Sequence, residues 1–382
     1  MPGRLAMRVL AALLTGLVIA AVPAQTENPQ LRLGRSVFYS QPAGAGPLFN
    51  AASCNECHND GAGGRGPASD GVVPASLEIQ LAAAVVAGQP GGDPVYGHVF
   101  NTAALAGMRP EGTVTVRYTE IYGYYYPDGL RWRMRRPHYQ LDGLSHGPLA
   151  GSTVIKPRLA PPLFGVGLLE AVPDSRFGWQ GEALSIRDQT TRALAGEMGL
   201  TSTDRPADDC TASETDCLQT EAAVAPRMAN EAIAALVAFE RALPVPSATG
   251  DDPLGAELFV EIGCATCHQP QLPVELRQPD GSTRHGSISP YTDLRLHDLG
   301  PEMFDQTASG EKMASKWRTA PLWGLGFRMG ATVHPTLLHD GRARSAEEAI
   351  LWHSGEAARA RRNFVSLGPR SRAALLHWVE TR

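Results

Sequence analysis

The pentapeptide Cys54-Asn-Glu-Cys57-His58 and its counterpart Cys264-Ala-Thr-Cys267-His268 constrain this chain more than anything else in it. Two thiols three residues apart, followed at once by a histidine, form the attachment signal of c-type haem. The thiols add to the two vinyl groups of one porphyrin, and the histidine is held beneath the iron as an axial ligand. With 6 Cys and 11 His in 382 residues, chance gives roughly 0.003 such pentapeptides. A structural zinc site on the two Cys pairs would leave both histidines unexplained. The expectation is two covalently attached haem c groups, one on Cys54, Cys57 and His58, the other on Cys264, Cys267 and His268.

Composition narrows the setting. The chain carries 34 Lys+Arg against 39 Asp+Glu, a net charge of −5, and is 43% hydrophobic. That excludes a disordered polyelectrolyte and a multi-span membrane protein, and offers no basic surplus for nucleic acid. With 40 Gly and 30 Pro, the pattern predicts a loop-rich fold in which a bulky cofactor fills part of the core. Arg4 and Arg8 precede an apolar run of 14 residues, Val9 to Val22, ending in Val22-Pro23-Ala24. The run is short for a membrane span and reads as a signal peptide cleaved after Ala24, with export to the periplasm. In such a compartment the two remaining cysteines, Cys210 and Cys217, most simply pair in a disulfide.

The two haem motifs sit in similar surroundings. Asn28-Pro29, Gly34 and Phe38 precede the first; Asp252-Pro253, Gly255 and Phe259 precede the second. An Asx-Pro pair starts a helix, and the four-residue step from Gly to Phe puts both on one face. Apolar periodicity around Ile233, Leu236, Val237 and Phe239, and around Leu375, Leu376, Trp378 and Val379, predicts a closing helix for each half. The expected fold is mainly α: two cytochrome c-like domains, 25–249 and 250–382, joined by the linker Leu243 to Pro253. The first domain carries a β-hairpin insertion over Gly112 to Leu141, where Val114, Val116 and Tyr118 alternate before a Pro127-Asp128-Gly129 turn. Tyr122 to Tyr126 is expected to pack the hairpin.

The stretches RLAPPLFGVGLLEAVPDSRFGW (158–179), PYTDLRLHDLG (290–300), KWRTAPLWGLG (316–326) and LLHDGRARSAEEAILWHSGEA (337–357) together resemble the di-haem oxidoreductases, relatives of the bacterial di-haem cytochrome c peroxidases. The resemblance implies hydrogen peroxide as substrate at the first haem, electrons relayed by the second, and a small redox protein as partner. It also implies iron ligands. Ser345-x-x-Glu348 is a capping box that predicts a helix from Ala346 through His353. His353 stands where relatives usually have a methionine ligand, so His268 and His353 are expected to hold the second iron. His98, Met108, His138 and His146 are open candidates beside the first. For moving the peroxide proton the resemblance points to Asp188 with Gln189 assisting, and Glu182 as the fallback. Thr319-Ala-Pro321 resembles a calcium-binding turn and allows a calcium ion. Trp179, Trp317 and Trp323 are candidates for an aromatic bridge between the haems, with core packing as the alternative, and His339 is expected to hydrogen-bond beside the site. Two other functions fit the same motifs: a non-catalytic electron-transfer cytochrome with both irons six-coordinate, or a di-haem oxidase of a protein or small molecule.

Overall fold

The computed structural model describes residues 28–382 apart from 41–44, 84, 87–88, 222–226, 278–279 and 332–335. The export signal expected over residues 1–24 lies outside the described residues. Among them, no helix is long and apolar enough to cross a membrane.

Each half opens on a helix whose start the sequence dictates. The Asp252 carboxylate accepts the Gly255 amide at 3.0 Å ahead of the helix Pro253–Glu261. Asn28 likewise accepts from the Gln30 amide at 2.9 Å at the start of Pro29–Ser40. Gly34 and Gly255 then let these helices meet the closing helices Asn230–Ala242 and Pro369–Glu380 backbone to backbone. A Cβ at Gly34 would overlap the Ala235 carbonyl, and one at Gly255 the Ala374 carbonyl. Four residues on, Phe38 and Phe259 are buried against a ring of the closing helix, Phe239 at 5.3 Å and Trp378 at 4.7 Å. The same helix pair is built twice.

The mainly α expectation is nevertheless wrong. The protein is mixed α/β, 32% helical and 22% strand. An antiparallel sheet runs in the order Lys312–Met313, Asp305–Thr307, Val154–Leu159, Leu77–Ala82, Val99–Phe100. Two of its strands follow the linker and three precede it, so both halves contribute to one sheet. The strand Leu77–Ala82 buries Leu77, Ile79 and Leu81 with Tyr96, Phe100 and Leu159 in a core of its own. These strands are two to six residues long, too short for their period to stand out beside the helical pattern.

The hairpin forms where expected, with Thr113–Tyr125 against Arg131–Asp142. It is no free-standing insertion. The Arg135 amide donates to Glu348 at 2.6 Å, the Tyr126 hydroxyl to Glu347 at 2.7 Å, and Arg372 reaches Asp128 at 2.6 Å. Of the tyrosine cluster only Tyr126 packs; Tyr122, Tyr124 and Tyr125 are exposed. Cys210 and Cys217 are joined in a disulfide.

Candidate functional site

A cavity of about 1460 Å³ runs between the halves and brings both pentapeptides to its wall: Cys57 and His58 from one, Cys264, Cys267 and His268 from the other. That exceeds the usual range of roughly 300–1,000 Å³ for a single small-molecule site. His58 turns Nδ1 to the Pro161 carbonyl at 2.9 Å, and His268 turns Nδ1 to the Tyr291 carbonyl at 2.9 Å. A histidine that donates one ring nitrogen to a carbonyl presents the other, Nε2, as a lone pair for a metal. Burial lowers the pKa of His58 below its ordinary value. Burial, then the neighbouring His353, pushes His268 down to about 4. Both rings are neutral at physiological pH, as a ligand must be.

His353 meets His268 across the second site. The helix Ala346–Trp352 starts on Ser345, whose hydroxyl accepts the Glu348 amide at 3.1 Å. It ends one residue earlier than expected, with His353 as its cap in extended backbone. There His353 Nδ1 bonds the Ala349 carbonyl at 2.7 Å, and its ring centroid stands 6.4 Å from that of His268. Two imidazoles that held one metal from opposite sides through Nε2, at about 2.0 Å each, would have centroids roughly 6.3 Å apart.

The first half repeats this architecture 160 residues earlier. Ser185 caps Ile186–Met198 and accepts the Asp188 amide, as Ser345 accepts that of Glu348. The bridges Phe177 to Ala183 and Leu337 to Ala343 correspond, as do Gly181 and Gly341, with φ of 70° and 68°. In this register Arg158 matches Arg318, Trp179 matches His339, and the counterpart of His353 is Ala193. Ala193 lines the cavity and has no metal-binding atom.

A sequence profile of the family described as "Di-haem oxidoreductase, putative peroxidase" matches residues 170–381, more than half of the chain. The chain belongs to this di-haem oxidoreductase family. No curated protein matches it significantly. Among solved structures, a xenon-pressurised hydrazine synthase of Kuenenia stuttgartiensis aligns over 99% of this chain and 100% of its own at 11% identity. The TM-score is 0.41, too low to carry an argument.

The residues of this di-haem oxidoreductase fit its cofactor on a further count. Arg318 lines the cavity with Nη1 enclosed and without a hydrogen-bond partner, while burial lowers its pKa to about 10. Its Nε donates to the Gly178 carbonyl at 2.9 Å, but the enclosed Nη1 still calls for an acceptor, and the carboxylate of a haem propionate is one. Calcium has less to hold it, since the Thr319 carbonyl already accepts the Thr292 hydroxyl at 2.6 Å.

The structure divides the other expected residues. Gln189 and Glu182 line the cavity; Asp188 does not. Asp188 pairs with Arg192 at 3.1 Å and Arg205 at 2.8 Å, both of which do line the cavity, and accepts the Leu184 amide at 3.0 Å. Burial pushes its pKa up, but Leu184, Arg192 and Arg205 outweigh that and hold it below the ordinary range. Glu348 accepts the Arg344 amide in the same way at 2.9 Å, so both acids serve as helix caps. Of the four candidates beside the first site only His98 lines the cavity, bonded to Asp209 at 2.7 Å. His138 bonds Thr119, His146 lies against Tyr96, and Met108 receives the Thr220 hydroxyl. Trp317 stacks flat on His339, with centroids 3.6 Å apart, and Trp179 meets the same ring edge-on at 6.5 Å. The His339 ring stacks, and its carbonyl accepts the amide of cavity-lining Leu159 at 2.6 Å.

Sequence reasoning missed Glu78, Lys156, Arg158 and Glu197, all on the cavity wall. The alternation in Leu77–Ala82 was the signal for Glu78, since a buried Leu-x-Ile-x-Leu edge turns Glu78 and Gln80 to the opposite face.

Proposed function

We propose that this di-haem oxidoreductase is an exported c-type enzyme that reduces hydrogen peroxide in the His58 half of the cavity, with electrons relayed from the His268 half. One observation carries the reading: His353 stands opposite His268, whereas the equivalent position in the first half is Ala193. One site is closed by a second histidine, and the other keeps room for a small oxidant. Cys54, Cys57 and His58, and Cys264, Cys267, His268 and His353, would hold the two haems, which would supply the redox chemistry.

The chain's own residues do the rest. Carboxyl groups of the first half move protons, and Gln189 offers amide donors to a bound oxygen species. Trp179, Trp317 and His339 fill the space between the halves with aromatic rings. Arg4, Arg8 and the apolar run after them support export. A net charge of −5 leaves the small redox partner to be defined by its local surface rather than by overall attraction.

Ala193→His tests this. Electron paramagnetic resonance of the oxidised parent protein is expected to show two unlike irons, and the variant two similar low-spin ones with peroxide turnover abolished. Low-spin signals alone in the parent, with no turnover even after half-reduction, would make the protein an electron carrier instead.

A further inference from the structure

The strand Leu77–Ala82 and the helix Ile186–Met198 bring two acids together on the cavity wall, Glu78 and Glu197. Glu78 Oε1 accepts from Gln80 Nε2 at 2.6 Å. Its other oxygen, Oε2, is enclosed and reached by no donor, and the Glu78 and Glu197 carboxyls lie within hydrogen-bond reach of one another. Two ionised carboxylates so placed would only repel; one proton between them turns the repulsion into a hydrogen bond.

The surrounding charges favour that single proton. Arg158 faces Glu78 from the neighbouring strand, but it is held by both oxygens of Asp305 at 2.8 and 2.9 Å. Lys156 stands opposite Gln80 in the same register, and Glu182 adds negative charge from the loop before the helix. Around Glu197 the interacting acid is Glu78 itself.

We propose that Glu78 and Glu197 hold one proton between them and form the proton store of the cavity, with Glu78 as the positioning residue that keeps Glu197 protonated. Burial, and then each acid's effect on the other, pushes Glu197 well above the ordinary carboxyl range. The use of this proton rests on the peroxide reading above; its existence does not. Reduction of hydrogen peroxide to two waters breaks the O–O bond and consumes two electrons, from the redox partner, and two protons. The pair gives one proton to the oxygen that leaves as water and is refilled from solvent, which also supplies the second.

Infrared difference spectroscopy of the intact haem-loaded protein across neutral pH tests the pair. The expected parent-minus-variant difference contains a protonated-carboxyl band that is lost in Glu78→Gln and equally in Glu197→Gln, because either amide donates to the remaining carboxylate; the other raised acids, Glu240 among them, are common to all three proteins and cancel. Haem propionates are common to all three proteins and cancel. Should Glu78→Gln not fold, Glu78→Asp replaces it, with a shifted band expected. No band in the parent, or a band lost in only one variant or unmoved by Glu78→Asp, overturns the proposal. In turnover, Glu78→Gln is expected to displace the pH profile of peroxide reduction toward acid by roughly one unit or more. A protein that shows the band behaviour but turns over no peroxide retains the pair and loses the peroxide reading.

Discussion

Glu240 shows how far a single buried acid can bend the stability of this protein with pH. It lies in the closing helix of the first half, and its carboxylate accepts the Thr190 hydroxyl at 2.7 Å. Burial raises its pKa from 4.5 to about 7, against the lowering effect of that bond. The folded state therefore binds a proton that the unfolded chain has released, and stability falls as pH rises. The contribution is complete below about pH 4.5, declines through the interval, and is lost above about pH 7. The shift corresponds to stability on the order of 3 kcal/mol. Glu240→Gln, which keeps a partner for Thr190, is expected to flatten the dependence in that window and to be the more stable protein above it. Urea unfolding midpoints measured across the window check this; parallel curves for the two proteins would show that Glu240 is ionised throughout.

At the scale of elements, the helix Ile186–Met198 decides what Asp188 does. Its carboxylate caps the helix start through the Leu184 amide and pairs with Arg192 and Arg205 without itself lining the cavity, so Asp188→Asn is expected to cost about 1 kcal/mol of stability and to leave peroxide turnover unchanged. A turnover loss larger than the loss of folded protein, measured on haem-loaded samples, would return Asp188 to the chemistry. The same comparison shows what could be read in advance. Gly34, Phe38, Gly255 and Phe259 announced the helix crossings because a glycine four residues before a phenylalanine serves both close approach and ring burial. The capping box announced the helix before His353. Asp188 misled because an acid three residues after a serine caps a helix as readily as it serves catalysis, and only the third dimension tells which way it points. Ala193 could not be seen as a site residue at all: its role is to lack a ligand, and the 160-residue register that exposes it joins segments sharing few identities. Glu78 and Glu197 lie 119 positions apart in the sequence, and no local pattern couples them.

For the molecule as a whole, the shared sheet determines whether the halves can behave independently. Arg158, before the linker, and Asp305, after it, form a two-pronged pair whose side chains are each 3% exposed. Arg158 also lies over the Trp317 ring at 4.7 Å. With the hairpin bound to Glu347, Glu348 and Arg372 of the second half, little of either half can open without breaking contacts to the other. Unfolding is therefore expected as one transition, seen together by the visible absorption of the haems and by backbone circular dichroism. Arg158→Met leaves the Asp305 carboxylate buried without its cation, a loss of about 3–5 kcal/mol, and should lower that one transition without splitting it. Arg158→Met combined with Asp305→Leu removes the stranded charge and should recover most of the loss. Two separated transitions in the parent protein, or a double variant no better than the single one, would mean that the halves stand apart and that this pair does not join them. If the transition is single, the cavity wall that carries Glu78 and Glu197 keeps its geometry only while both halves are folded, because the sheet supporting Glu78 draws strands from each.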